Sequence, residues 1–150
     1  MQHSILVIDD DAEIRNALQL VLKRAGYRPL LADGGEAALA LMELQAEAAG
    51  VAAILCDLEM PRMNGATVIA HLHRRHPLVP IVVLSGADPT QFLDAVSQQG
   101  VGDWIRKPAT NEVVLEKVRE AVHLFELRKS NADPKSDPRA HPDPRQVDRP

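Results

Sequence analysis

Ile54-Leu55-Cys56-Asp57-Leu58-Glu59-Met60-Pro61 is the stretch on which the reading of the whole chain turns. The apolar run Ala52 to Cys56 predicts a buried strand. It stops at a carboxylate, Asp57, and a turn-prone Asn64-Gly65 follows soon after Pro61. In an open α/β sheet, ligands bind beyond the carboxyl ends of the strands. An Asp at such an end either caps the loop that follows or does chemistry. The other strand ends decide between the two.

Upstream, Ser4-Ile5-Leu6-Val7-Ile8 is a second continuous apolar run and ends in Asp9, Asp10 and Asp11. It predicts a central parallel strand, buried on both faces. Ile14, Leu18, Val21 and Leu22 then recur at helical spacing up to a stop at Gly26. Acids at a helix start favour its dipole, which suffices for Asp11 but not for all three. Tyr27 to Leu31 is a weaker strand, and Pro29 within it predicts an edge position. Gly34-Gly35 opens an Ala- and Leu-rich helix to about Ala48. It lacks the spacing of a phosphate-binding loop, so helix entry is the better reading.

Downstream, Asn64 to about His76 predicts a helix with Val68, Ile69 and Leu72 inward. Pro80 to Leu84 is a fourth strand, ending at Ser85-Gly86. Asp88-Pro89-Thr90-Gln91 has the form of a helix start. That helix has a thin apolar face of Phe92, Ala95 and Val96, which predicts shallow docking. Gly100 to Arg106 is a fifth strand, ending at Lys107-Pro108, and Thr110 caps a last helix. Residues 1–128 therefore form one domain. Residues 129–150, rich in Pro, Asp, Arg and Lys, predict a disordered tail or linker.

Composition narrows the function. The 150 residues are 45% hydrophobic and 25% charged with a net charge of -4, and no basic patch suggests nucleic acid as a partner. Aromatic residues, at 3%, are too few for base-stacking platforms. The single cysteine, Cys56, sits in the buried run and reads as a small core residue of a reducing compartment. No apolar run is long enough for a membrane span, and the start MQHSILVIDDD lacks the pattern of a signal peptide. A cytoplasmic protein is the expectation. His71, His73 and His76 crowd the end of one helix, but only His73 and His76 share a face, so a solvated surface is expected there rather than a metal site.

The strand–helix alternation predicts an α/β fold, a doubly wound five-stranded parallel sheet with helices on both faces. Right-handed crossovers then put every strand C-terminus on one edge. That edge carries Asp9, Asp10, Asp57, Ser85 and Lys107. Two charges about 4 Å apart repel by roughly 4 kcal/mol at an effective dielectric near 20, so the acids call for cations. Lys107 supplies one. A hard divalent ion such as Mg²⁺, which accepts few carboxylates and keeps waters, suits the rest. A carboxylate so placed can attack phosphorus and form an acyl phosphate.

VIDDD, ILCDLEMPRMNG, VVLSGA and DWIRKP, in this order, resemble the receiver domain of two-component response regulators, of the single-domain chemotaxis type, over roughly Ser4 to Leu127. The resemblance implies a flavodoxin-like (βα)5 fold with strand order 2-1-3-4-5. It implies Asp57 as phosphoacceptor from a histidine kinase or phosphotransfer protein. Asp10, Asp57 and the backbone carbonyl of Glu59 would ligate Mg²⁺, with Asp9 acting mostly through water. Lys107 would pair with the phosphoryl group, Ser85 would be the switch hydroxyl, and Trp104 would hold the switch-aromatic place. The output implied is protein contact, with a downstream partner or an attached output domain, through the face formed by the helix from Asp88, the fifth strand and the last helix. Phosphorylation-dependent homodimerisation is a further expectation. Trp104 stands where Tyr or Phe is commoner, and Glu59 holds a place that tunes phosphoryl lifetime. Two other functions compete: an Mg²⁺-dependent phosphohydrolase working through an aspartyl phosphate, and a phosphorylation-independent binding module. Only the first of these three readings uses the whole acid, hydroxyl and lysine set without turnover.

Overall fold

A computed structural model describes residues 2–45, 50–60, 64–86 and 101–132. Its elements run β1 (Ser4–Ile8), α1 (Ala12–Arg24), β2 (Arg28–Ala32), α2 (Gly35–Gln45), β3 (Val51–Asp57), α3 (Gly65–Arg75), β4 (Ile81–Ser85), β5 (Val101–Arg106) and α4 (Asn111–Ala132). The helix expected from Asp88 lies outside the described residues. All strand pairs are parallel, in the order β2-β1-β3-β4-β5. The expected fold and strand order are therefore observed, and Pro29 does lie on an edge strand.

The core follows from the apolar runs. Every residue of β1, β3 and β4 is buried, as strands covered on both faces must be. Helix α1 packs near α4, and α2 packs near α3, which gives the two helical layers. Helix α1 buries Leu18 and Leu22, and α4 buries Val114, Val118, Ala121, Val122 and Phe125. Asp11, expected only to favour the helix dipole, also caps α1 by accepting from the Glu13 amide at 2.9 Å. Gly26, at φ 92°, ends that helix in the left-handed region. There the Gly26 amide bonds the Lys23 carbonyl and the Tyr27 amide bonds the Leu22 carbonyl, both at 3.0 Å, closing the last turn. Helix α4 runs past Arg128 to Ala132, four residues into the stretch expected to be tail. The remainder of that stretch, from Asp133, lies outside the described residues.

Candidate functional site

Strand register assembles the rim. Ile8 pairs with Cys56, so the next residues, Asp9 and Asp57, leave adjacent central strands side by side. Asp57 pairs with Leu84, and Ser85 pairs with Arg106, so Ser85 and then Lys107 follow one step further along. Asp9 and Asp57 are almost wholly buried and Ser85 completely so, whereas Asp10 is exposed. Carboxylate oxygens of Asp9, Asp10 and Asp57 all lie within 4.8 Å of one another. Among the described residues no other group of three or more His, Cys, Asp or Glu side chains comes together in this way, and the helical histidines form none.

Lys107 Nζ lies 3.5 Å from Asp9 Oδ2 and 3.4 Å from Asp57 Oδ1. It bridges the two buried acids, while its own amide bonds the Ser85 carbonyl at 2.8 Å. The Asp11 amide donates to Asp9 Oδ1 at 2.9 Å, and the Glu59 amide donates to Asp57 Oδ1 at 3.0 Å. Each buried acid therefore has one backbone donor and a share of one ammonium. Burial still pushes the Asp9 carboxyl above its ordinary range: the Asp11 bond and Lys107 pull the other way, but Asp57 adds to the rise. The neighbouring Cys56 thiol is pushed up to about 12, by burial first and by Asp57 and Asp9 second. It is a protonated core residue, as its place in the apolar run suggested.

Oxygen donors alone, set this close and short of positive charge, fit a hard divalent cation. They do not fit a soft or zinc-type ion, which takes nitrogen and sulfur.

Two supports were not foreseen from sequence. Arg15, one turn into α1, donates Nη1–H to the Asp9 carbonyl at 2.6 Å and pins the loop between β1 and α1. Gly65, read as half of a turn at the helix entry, begins α3 hard against Leu58, the residue after β3. A Cβ there would lie 2.8 Å from the Leu58 carbonyl oxygen and 2.9 Å from its Cα, so only glycine lets the helix approach the loop behind Asp57.

A third contact is the most consequential. Ser85 Oγ donates to Glu59 Oε1 at 2.9 Å. The sequence marks both residues but gives no sign that they meet. Trp104 is half-buried beside Val83, its amide donating to Asp103 Oδ1 at 2.8 Å. Asp103 Oδ2 in turn meets Lys117 Nζ at 2.9 Å, tying β5 to α4.

A family model for the response regulator receiver domain matches residues 5–119. The chain is 33% identical over 135 residues to the DNA-binding response regulator MtrA of Mycolicibacterium paratuberculosis, covering 89% of this chain and 55% of that protein. It is 29% identical over 134 residues to an NtrX-like response regulator of Rickettsia bellii, covering 88% of this chain but 27% of that protein. The chain thus spans about a quarter of the length of the NtrX-like relative and about half of MtrA. Among solved structures, chemotaxis protein CheY4 of Vibrio cholerae matches with a TM-score of 0.73 at 25% identity, over 81% of this chain and 99% of that one. NtrX from Brucella abortus matches with a TM-score of 0.79 at 24% identity, over 89% of this chain and 29% of that one. The four strand-end motifs, the sheet order and the acid rim have one common explanation: this chain belongs to the family of response regulator receiver domains.

Proposed function

We propose that this receiver domain is a switch set by phosphorylation of Asp57. The carrying observation is the placement of Lys107 Nζ between Asp9 and Asp57, at 3.5 and 3.4 Å. It leaves a buried carboxylate with an ammonium at its side and further oxygen ligands within reach. An Asp57 oxygen attacks the phosphorus of a phosphohistidine on a histidine kinase or phosphotransfer protein. The new O–P bond forms as the P–N bond breaks, and the imidazole nitrogen keeps the electron pair. Asp9, Asp10, Asp57 and the Glu59 backbone carbonyl would hold Mg²⁺, which neutralises charge on the transferring group. Lys107 pairs with the phosphoryl oxygens, and Ser85 turns its hydroxyl to one of them. Trp104 lies on the face that responds.

The chain transfers to itself and hydrolyses its own acyl phosphate, with no other turnover. A phosphohydrolase of the aspartyl-phosphate kind carries an Asp two residues after the nucleophile as its acid, and this chain has Glu59 there. Output is contact with a protein partner, or with an attached output domain, through the face of β5 and α4 and the helix expected from Asp88; homodimerisation on phosphorylation is one form of it. We place the protein in the cytoplasm, with residues from Asp133 onward as a tail not needed for phosphorylation; no described helix is long and apolar enough to cross a membrane. Incubation with acetyl phosphate and Mg²⁺ should label the wild type with one base-labile phosphoryl group. Asp57→Asn should abolish that label. Undiminished labelling of the variant would move the acceptor elsewhere.

A further inference from the structure

Glu59 acts on the rim through two atoms. Its amide donates to Asp57 Oδ1 at 3.0 Å, and its carboxylate takes the Ser85 hydroxyl at 2.9 Å. A serine hydroxyl has one proton to donate. While Glu59 Oε1 accepts it, a phosphoryl oxygen on Asp57 cannot. We propose that Glu59 is a latch on the switch: its carboxylate holds the Ser85 hydroxyl in the unmodified protein, and phosphorylation recruits Ser85 only by displacing Glu59. This rests on the reading of Asp57 as phosphoacceptor.

The physics sets which acceptor yields. The bond to Glu59 is charge-assisted, so it is stronger than a neutral one and holds the resting state. A phosphoryl group on Asp57 brings a second anion and three further acceptor oxygens beside it. Two anions then compete for one donor. The phosphoryl group is fixed covalently to a buried strand end. Glu59 is an exposed side chain with water to turn into, whereas Ser85 has no exposure at all. Glu59 therefore leaves and Ser85 stays. The carboxylate rests over Gly86, where an added Cβ would lie 3.8 Å from both its oxygens, so its departure also uncovers the first residue after β4. A ligand shifts a two-state equilibrium only by its differential affinity for the two states. Breaking the Ser85–Glu59 bond subtracts from that difference, so the latch raises the threshold for switching. Glu59 is in this sense a positioning residue that acts through Ser85.

The test is a titration of the full chain with beryllofluoride and Mg²⁺, a phosphoryl mimic, followed by the emission of Trp104, the only tryptophan. Glu59→Ala should bind about tenfold more tightly than wild type, the weight of one charge-assisted hydrogen bond. Glu59→Gln loses the charge but keeps an acceptor for Ser85, and should gain less. In a Ser85→Ala background the gain from Glu59→Ala should shrink to that of Glu59→Gln. Equal gains with and without Ser85 overturn the latch, because Glu59 then acts as a charge alone. A double-mutant cycle on unfolding without beryllofluoride reads the contact itself. Coupling there supports the latch, and its absence with beryllofluoride binding intact overturns the latch alone. A wild type that binds no beryllofluoride, with coupling present, overturns the phosphoacceptor reading and the latch with it.

Discussion

Strands β3 and β5 each deliver a charged group to the same rim, and they hold it in opposite ways. β3 lies mid-sheet with a neighbour on each side, and all seven of its residues are buried. β5 is an edge strand in which only Ile105 is fully buried. Asp57 therefore cannot move without opening the core. Lys107 and Trp104 sit on a part of the sheet held by one neighbouring strand and by the partly exposed Lys117–Asp103 pair, a weak kind of tie. A covalently modified group gains from a fixed base, because the geometry of attack is set in advance. A group that has to respond gains from a strand whose displacement costs little. The rim draws its acids from the centre of the sheet and its lysine from the edge, an arrangement that would meet both needs under the proposed function.

The same substitution in both strands would sharpen this contrast most. Val51 and Val101 each open their strand, Val51 at 1% exposure and Val101 only half-buried. Val51→Ala should cost about 2–3 kcal/mol, from lost burial and the cavity left behind. Val101→Ala should cost less than about 1 kcal/mol, since water can reach the site. Urea unfolding measures both. Equal losses would mean that β5 is as firmly seated as β3, and the contrast would fail.

Next in size is the ammonium joining the two regions. Breaking a buried ion pair by removing one partner costs about 3–5 kcal/mol. The Lys107 side chain is 25% exposed and its contacts are 3.4 and 3.5 Å, so we expect about 1–2 kcal/mol for Lys107→Met in a chelator. Mg²⁺ should stabilise this variant more than wild type, because the ion supplies the charge that was lost. Unchanged stability in the chelator would show that the acids do not need Lys107 in order to coexist.

What could be read in the sequence divides along the same line. The central strands are continuous apolar runs ending in acids, so β1 and β3, the sheet order implied by the motifs, and the cap at Thr110 were all legible. Period and turn chemistry are local signals, and they suffice for elements whose burial is complete. Contacts across the rim are not local. The Ser85–Glu59 bond joins residues 26 apart, and Arg15 reaches the Asp9 carbonyl across a loop. Which side chain meets which depends on register and rotamer, and residue type alone does not encode either. The close approach at Gly65 was hidden for the same reason, since a glycine before a helix also reads as an ordinary turn residue.

The smallest expected effect concerns Asp9, the buried acid that follows the central strand β1. Burial raises its pKa first, Asp57 adds to the rise, and the Asp11 amide and Lys107 oppose it without cancelling it. A carboxyl with a raised folded-state pKa binds its proton more tightly when folded, so the sign is the reverse of the usual acid. Its contribution to stability is full below the unfolded value near 3.8 and is lost as pH rises through the raised folded value. Without metal, ionised Asp9 therefore weakens the fold at neutral pH. Asn keeps an oxygen for the Asp11 amide and carries no charge. In a chelator, Asp9→Asn should match wild type near pH 4 and pull ahead as pH rises, by up to about 1 kcal/mol at pH 7. In millimolar Mg²⁺ the order should invert, because the cation relieves the acids in the wild type while the variant has lost one of them. Urea unfolding from pH 4 to 8, with chelator and with Mg²⁺, measures both signs. A variant advantage that falls with pH would mean Lys107 and the Asp11 amide outweigh burial, leaving no strain on the central strands for a cation to relieve.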